Sequence, residues 1–260
     1  MTSRLKTLFS GERKTFSIFV TAGFPRLEDT VTICETLAEN GVDMIELGIP
    51  FSDSIADGPT IQTANEKALA NGVTLEWTLE TLRKIRERID IPVILMGSLN
   101  PVLQYGVERF CRDAKEAGAD GAILPDLPLE IYQKEYRGFF EQNDLANIFL
   151  VTSNTPDERI RKIDEASGGF IYAVSMAGVT GKGLQIDDER RGYLERLKSL
   201  NLSSPLVVGF GIEQREQFAE VTKYADGAIV GSAFIKAIEN AGDARAATKE
   251  FVNRFICTGE

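Results

Sequence analysis

The chain contains no histidine among its 260 residues. This absence excludes the Ser-His-Asp and Cys-His arrangements of nucleophilic catalysis, because both take their base from an imidazole ring. It also excludes histidine-based zinc sites, and we predict no metal site in this chain. Any chemistry must therefore come from carboxylates, tyrosine, lysine, a thiol or backbone amides.

Basic residues are scarce relative to acidic ones, with 29 Lys and Arg against 39 Asp and Glu and a net charge of -10. Nucleic acids and anionic membranes are bound through basic patches, so we expect neither as a partner. No apolar run approaches the roughly 20 residues of a membrane span. The N-terminal segment MTSRLKTLFSGERK lacks the apolar stretch of a signal peptide. We therefore expect a cytoplasmic protein.

Cysteine is also sparse, and the three cysteines, Cys34, Cys111 and Cys257, form no C-x-x-C pair. Cys34 and Cys111 lie among apolar residues of predicted helices. We interpret them as small buried side chains in a reducing compartment.

Short apolar runs recur along the chain and are separated by amphipathic stretches. The runs are too short for helices and are typical of fully buried parallel strands. We predict eight strands, at 16–22, 42–49, 92–97, 120–125, 147–151, 169–174, 205–211 and 226–231. Of the intervening helices, one is predicted to follow Thr74 as its N-cap. Another is predicted to open at Thr155, with Pro156 in its first turn.

Eight strand–helix units in about 250 residues predict a single-domain (β/α)8 TIM barrel over residues 1–260. We expect extra helices at the N-terminus and in the loop after strand 2. A doubly wound open sheet is the alternative, although it rarely needs eight such even units. The two longest connections contain FSDSIADGP (51–59) and AGVTGKG (177–183). Both follow strand ends on the face where barrel active sites form.

Glu46 is the only acid within the body of a predicted strand, and it shares one side of that strand with Met44 and Gly48. If this side faces the barrel axis, desolvation raises the pKa of the carboxyl group and makes it a usable acid and base. The alternative is a buried ion pair, but no predicted strand carries Lys or Arg in its body. Asp57 follows in the next loop, where it is either a turn residue or a second carboxylate with a different role.

Glycines gather near the ends of the last three strands, at positions 178, 181, 183, 209, 211 and 231. Backbone amides at such places attract anions, and barrels often bind phosphate at this corner. Apolar side chains near strand ends could hold a flat apolar group or simply pack the core; they are Phe19, Ile123, Leu150, Tyr172 and Phe210. These features indicate a metal-free lyase or isomerase acting on a small phosphate ester. Since neither a zinc nor a Schiff-base aldolase fits, carbon–carbon cleavage would need an electron sink within the substrate.

The segment ELGIPFSDSIADGPTIQ (46–62) closely resembles the signature of the tryptophan synthase α subunit family. SMAGVTGKG, GFGI and DGAIVGSA resemble that family's loop 6 and phosphate-binding segments, and the resemblance runs from about Phe16 to Ala237. It implies a TIM barrel that cleaves indole-3-glycerol phosphate to indole and glyceraldehyde 3-phosphate. In this retro-aldol reaction the protonated indole ring is the electron sink.

The resemblance also implies roles for individual residues. Glu46 would be the acid and base, Asp57 would accept a hydrogen bond from the indole N–H, and Thr180 would help order loop 6 (about 177–187) through Asp57. The other implied substrate-binding residues are Phe19, Ile61, Tyr172, Gly181, Phe210, Gly211, Gly231 and Ser232, of which the glycines and Ser232 would bind phosphate through amides. Loop 6 is expected to be mobile without ligand and to close over the substrate.

The family pairs with a PLP-dependent β subunit, usually as α2β2, so we expect PLP in the partner and no cofactor in this chain. Pro50, Asp53, Ser54 and Asn100 would lie at or near the partner interface. Two departures affect this region, because the family usually has proline at Ser54 and aromatic residues before Asn100-Pro101, where this chain has Ser98 and Leu99. A stand-alone lyase and a non-catalytic phosphate-binding activator of the β subunit are the alternatives. Retention of both carboxylates argues against the activator.

Overall fold

The computed structural model describes residues 3–54, 57–174, 188–209 and 211–256. Eight parallel strands pair in chain order, and the eighth pairs with the first to close a barrel. They are β1 (Thr15–Thr21), β2 (Met44–Gly48), β3 (Val93–Met96), β4 (Gly121–Ile123), β5 (Ala146–Val151), β6 (Ile171–Val174), β7 (Leu206–Gly209) and β8 (Gly227–Val230). All eight predicted strands are confirmed, and the open doubly wound sheet is excluded because both edges are paired.

Helices surround the barrel on the outside. They are α1 (Ser3–Phe9), α2 (Asp29–Glu39), α3 (Pro59–Ala70), α4 (Leu75–Arg86), α5 (Leu99–Tyr105), α6 (Val107–Ala117), α7 (Leu129–Ile131), α8 (Arg137–Gln142), α9 (Asp157–Ala166), α10 (Asp188–Ser199), α11 (Arg215–Val221), α12 (Ser232–Ile238) and α13 (Ala244–Ile256). A π-helical stretch, Tyr132–Tyr136, joins α7 to α8. The extra N-terminal helix and the extra helix after β2 are confirmed as α1 and α3. No helix in the described ranges is long and apolar enough to span a membrane.

The two predicted helix caps have different outcomes. Thr74 caps α4, because its side chain accepts a hydrogen bond from the Trp77 amide at 3.1 Å. The prediction for Thr155 was wrong, since α9 begins at Asp157 and Pro156 occupies the N-cap with an extended ψ of 149°. The Thr155 hydroxyl instead accepts from the Thr152 amide at 2.9 Å, so it closes the turn before the helix.

The strands are buried almost throughout, and their side chains divide between the barrel interior and the surrounding helices. Partners in register on parallel strands share a face, so Phe19, Glu46 and Ile94 point to the same side. Cys34 and Cys111 are buried free thiols, as predicted, and burial raises the pKa of each to about 12.

The N-terminal end of the barrel is closed by α1 and by a buried carboxylate. Asp120 is 1% exposed and accepts hydrogen bonds from the Val93 amide at 3.0 Å, from Arg86 at 3.2 Å and from Arg4 at 3.3 Å. Arg4 belongs to α1 and Arg86 to α4, so this carboxylate ties two helices to the sheet. The opposite, C-terminal end is therefore the one left for a site.

Candidate active site

Glu46 lies in the middle of β2 with no part of its side chain exposed. Neither carboxylate oxygen has a hydrogen-bond partner in the described part of the chain. Burial without a nearby cation raises the pKa of Glu46 to about 8. The structure thus places an unpaired carboxyl group, protonated at neutral pH, in an apolar interior, which is the environment that the sequence predicted.

Phe19 on β1 and Ile61 on α3 lie close together beside the end of β8. Phe19 is the register partner of Glu46, and its ring covers Gly48 so closely that a Cβ placed there would lie 2.5 Å from the ring Cζ. A Cβ on Gly231 would lie 3.6 Å from Phe19 Cβ and 3.8 Å from Ile61 Cδ1. Phe19, Ile61 and Gly231, which the sequence analysis named together, therefore meet at the C-terminal end of the barrel.

Tyr172 occupies the same end of the barrel from β6. Burial raises the pKa of its phenol well above the usual value, and the nearby charges of Glu46 and Asp57 raise it further. Its ring fills the space beside Gly209, where a Cβ would lie 2.5 Å from the phenol oxygen. Tyr172 is thus a neutral hydroxyl group close to both carboxylates. Gly209, which was predicted as part of a phosphate corner, makes room for this ring.

Asp57 is held in the loop after β2 by several hydrogen bonds. Asn65 Nδ2 donates to Asp57 Oδ2 at 3.3 Å, and the Asp57 amide donates to the Ser54 carbonyl at 3.0 Å. Gln62 Nε2 donates to the carbonyl oxygens of Asp57 at 3.0 Å and Ser54 at 3.3 Å. Burial raises the pKa of the Asp57 carboxyl, while hydrogen bonds from the Asn65 and Ser54 side chains oppose that rise.

Asn65 and Gln62 are site residues that the sequence analysis missed. Both follow the Asp-Gly-Pro turn on α3, at a spacing of three residues that places them on one face of a helix. That spacing was the available signal, because polar residues on one face beside a candidate catalytic turn can reach back to it.

A cavity of about 450 Å³ opens beside these residues. Its lining extends from Phe19 and Gly48 past Asp53, Ser54, Asp57 and Asn65 to Ser98, Asn100, Pro125 and Asp126. The Asp126 carboxylate accepts the Leu99 amide at 2.8 and 3.0 Å and so joins the loops that follow β3 and β4. The cavity is therefore continuous from the barrel interior to the loops at its rim.

The four residues predicted at a partner interface are not equally accessible. Asp53 and Asn100 are exposed and Ser54 is half-buried, and all three line the outer part of the cavity. Pro50 is buried. It follows β2 by two residues, so it lies at the start of the loop that carries Asp53 and Ser54.

The predicted phosphate corner is partly described. Gly211 has a φ of +63°, a conformation that favours glycine, and Gly231 precedes α12, whose first residue is Ser232. The Gly231 carbonyl accepts the amides of Phe234 at 2.9 Å and Ile235 at 3.1 Å, which starts the helix directly after β8. Thr180 and Gly181 lie outside the described residues with the rest of loop 6, and so does Phe210 directly after β7. Within the described ranges, no three metal-ligating side chains cluster together.

Comparison with known proteins agrees with this architecture. The family model for the tryptophan synthase alpha chain matches residues 5–258. A tryptophan synthase alpha chain from Flavobacterium johnsoniae is 50% identical over 250 residues, covering 96% of this chain and 98% of the relative.

Two solved structures give the same result. The tryptophan synthase alpha chain of Legionella pneumophila superposes with a TM-score of 0.88 at 35% identity, covering 98% of this chain and 96% of the other. A chain of the tryptophan synthase complex from Pyrococcus furiosus superposes with a TM-score of 0.86 at 34% identity, covering 93% and 97%. The chain therefore belongs to the tryptophan synthase alpha chain family.

Proposed function

We propose that this chain cleaves indole-3-glycerol phosphate to indole and glyceraldehyde 3-phosphate as the α subunit of tryptophan synthase, in L-tryptophan biosynthesis. The observation that carries the proposal is the unpaired, fully buried carboxyl group of Glu46, two residues before Gly48, which lines the cavity together with Phe19 and Asp57. A carboxyl group with a pKa of about 8 can both give and take a proton near neutral pH. The reaction needs one such group.

In the proposed mechanism, the protonated Glu46 carboxyl donates its proton to indole C3. The ring becomes an indoleninium cation, and the Asp57 carboxylate stabilises it through a hydrogen bond from the ring N–H. The Glu46 carboxylate then removes the proton from the hydroxyl group on the side-chain carbon attached to C3. The bond from that carbon to C3 breaks, its electrons return to the ring as indole, and the side chain leaves as glyceraldehyde 3-phosphate.

The other site residues bind the two ends of the substrate. Phe19 and Ile61 lie together beside Gly231, Tyr172 lies near Glu46, and these three side chains would hold the flat indole ring. Backbone amides at Gly211, after β7, and at Gly231 and Ser232, after β8, would bind the phosphate. Thr180 and Gly181 join the proposed site from the resemblance, and Phe210 joins it as an aromatic residue near the end of a predicted strand.

We also propose that the chain pairs with a PLP-dependent β subunit as α2β2 and passes it indole through the rim of the cavity. Asp53, Ser54 and Asn100 are accessible at that rim and would lie at the interface. PLP belongs to the β subunit, and the proposed reaction needs no cofactor in this chain. A cytoplasmic location is part of the same proposal.

The test is indole release from indole-3-glycerol phosphate by the purified chain, with and without a β subunit. We expect slow release by the chain alone and a faster rate at saturating β subunit. A high rate that the β subunit does not change would favour a stand-alone lyase. No release under either condition, with normal substrate binding, would favour the non-catalytic activator.

A further inference from the structure

The helix α3 is fixed to the body of the protein along its length. Ala64 is fully buried in the core. Lys67 forms an ion pair of 2.6 Å with Glu239, directly after α12, and Asn71 Nδ2 donates to the Gly23 carbonyl at 3.3 Å. This helix is therefore a firm support for anything that it holds.

What α3 holds is the segment that carries Asp57. Asn65 is 4% exposed and donates its side-chain amide to Asp57 Oδ2 at 3.3 Å. One turn earlier, Gln62 donates to the main-chain carbonyl of Asp57 at 3.0 Å. One face of the helix thus fixes both the backbone and the carboxylate of a residue that otherwise belongs to a loop.

We propose that Asn65 is a positioning residue that orients the Asp57 carboxylate toward the ring N–H of the substrate, while Gln62 holds the main chain of the same residue. This inference rests on the proposed function. A carboxylate accepts at about four lone-pair positions, so the hydrogen bonds from the Asn65 and Ser54 side chains still leave capacity for a ligand. Because the Asn65 amide is neutral, it restricts the rotation of the carboxylate without cancelling its charge.

The role of Asn65 makes a specific claim about ligand recognition. If Asn65 acts by orienting Asp57, its loss weakens the binding of only those ligands that donate a hydrogen bond to Asp57. If it merely supports the fold, its loss weakens all ligands alike. Two probes separate these cases: a non-cleavable 3-alkylindole phosphate, and its benzothiophene counterpart, in which sulfur replaces the ring N–H.

The experiment is calorimetric titration of both probes into the full chain and four variants: Asn65→Leu, Asp57→Ala, the double variant and Asn71→Leu. Asn65→Leu should weaken the indole probe about tenfold, as expected for one hydrogen bond to a charged group, and leave the benzothiophene probe nearly unchanged. In the Asp57→Ala background, Asn65→Leu should cause no further loss, because the two residues act as one unit. Asn71→Leu removes an amide hydrogen bond of the same length at the C-terminal end of the same helix and should change neither affinity.

Equal weakening of both probes by Asn65→Leu, or the same loss with and without Asp57, would overturn the inference and make Asn65 a structural residue. Thermal unfolding checks that each variant folds, and Asn65→Ser, which is too short to reach Asp57, replaces Asn65→Leu if the latter does not. A wild-type chain that binds neither probe would overturn the proposed function and this inference with it. If the wild-type chain binds both probes but Asn65→Leu does not selectively weaken the indole probe, the inference about Asn65 is overturned and the proposed function is not.

Discussion

The ring of Tyr172 on β6 occupies the space that a side chain on Gly209 of the neighbouring strand β7 would need. A Cβ on Gly209 would lie 2.5 Å from the Tyr172 hydroxyl oxygen and 2.7 Å from its Cε2. Atoms cannot approach so closely, so the tyrosine ring can lie there only because Gly209 has no side chain. That ring in turn lies near both Glu46 and Asp57.

Gly209→Ala should therefore displace Tyr172 into the site. We expect indole release to fall by about 100-fold, since a shift of about 1 Å in a catalytic site has that effect. The added methyl group also overpacks the interior, which should lower the free energy of unfolding by about 1–3 kcal/mol. The measurements are steady-state indole release and chemical denaturation.

Gly138→Ala is the matched control for this substitution. Gly138 lies in α8, and a Cβ there would meet nothing within 4 Å. This variant should keep full activity and gain up to about 1 kcal/mol in stability, because alanine favours the helix. Full activity of Gly209→Ala would show that the position of Tyr172 does not matter.

The buried carboxyl of Glu46 should make stability depend on pH. Its pKa is about 8 in the folded chain against an ordinary 4.5, so the folded state binds more protons between these values. The contribution of Glu46 to the free energy of unfolding is therefore full below pH 4.5. It declines as the pH rises from 4.5 to about 8 and is lost above pH 8. In Glu46→Gln this decline should be absent.

Urea denaturation of the wild type and of Glu46→Gln at several pH values between 5 and 9 measures this effect. We expect the difference in stability between the two proteins to shift in favour of the variant as pH rises. A difference that stays constant across this range would contradict a raised pKa at Glu46.

Much of the fold and part of the site could be predicted from the sequence, for physical reasons that the structure makes plain. The strands were found because parallel strands buried on both faces are continuous apolar runs. Glu46 was found because an acid in such a run has no ordinary explanation. In contrast, α5 was missed because it is seven residues long and buries only Val102, which leaves almost no periodicity to detect.

The contacts within the site could not be predicted in the same way, because they depend on neighbours in space. The contact of Gly209 with Tyr172 follows from the register of β6 against β7, which pairs Tyr172 with Val207. The hydrogen bond from Asn65 to Asp57 crosses from a helix to a loop. The pairing of Gly209 with Tyr172 leaves no mark on the periodicity of the chain, and the spacing of Gln62 and Asn65 indicates a shared helix face but not the residue that each one contacts.

The carboxylate of Asp120, at the end of the barrel opposite the site, should govern stability without affecting activity. The Asp120 carboxylate accepts hydrogen bonds from two arginines and a backbone amide, and Asp120→Asn removes its charge. We therefore expect a loss of about 3 kcal/mol in the free energy of unfolding. Indole release below the unfolding temperature should be unchanged, because this end of a barrel contributes to stability.

Glu158→Gln is the control for Asp120→Asn. Glu158 forms an exposed ion pair of 2.8 Å with Lys162 on one helix, and such pairs contribute little. Its loss should leave denaturation unchanged. Equal changes in the free energy of unfolding for Asp120→Asn and Glu158→Gln would show that the buried hydrogen bonds of Asp120 add nothing to stability.

Ser54 should influence Asp57 in two separable ways. Its side chain hydrogen-bonds Asp57 and lowers the pKa of that carboxyl, so Ser54→Ala should reduce partner-free indole release by up to about tenfold. Ser54→Pro also loses the hydroxyl but locks φ, which restricts the loop. If loop freedom limits partner-free turnover, Ser54→Pro should be faster than Ser54→Ala.

Titration of a β subunit against the wild type and both Ser54 variants, followed by indole release, compares these effects. Ser54→Pro should also need less β subunit for half-maximal activation than Ser54→Ala. Identical curves for the two variants would exclude loop rigidity as a factor in coupling.

The central claim is that Glu46 moves the protons of the cleavage reaction, and single-turnover indole release by Glu46→Gln tests it most directly. The assay mixes indole-3-glycerol phosphate with excess enzyme at saturating β subunit, so substrate binding and product release do not limit the rate. The amide cannot transfer a proton, and the loss should be at least about 10²–10⁴-fold with the fold and substrate affinity retained. A single-turnover rate within a few-fold of the wild type would remove Glu46 from the mechanism.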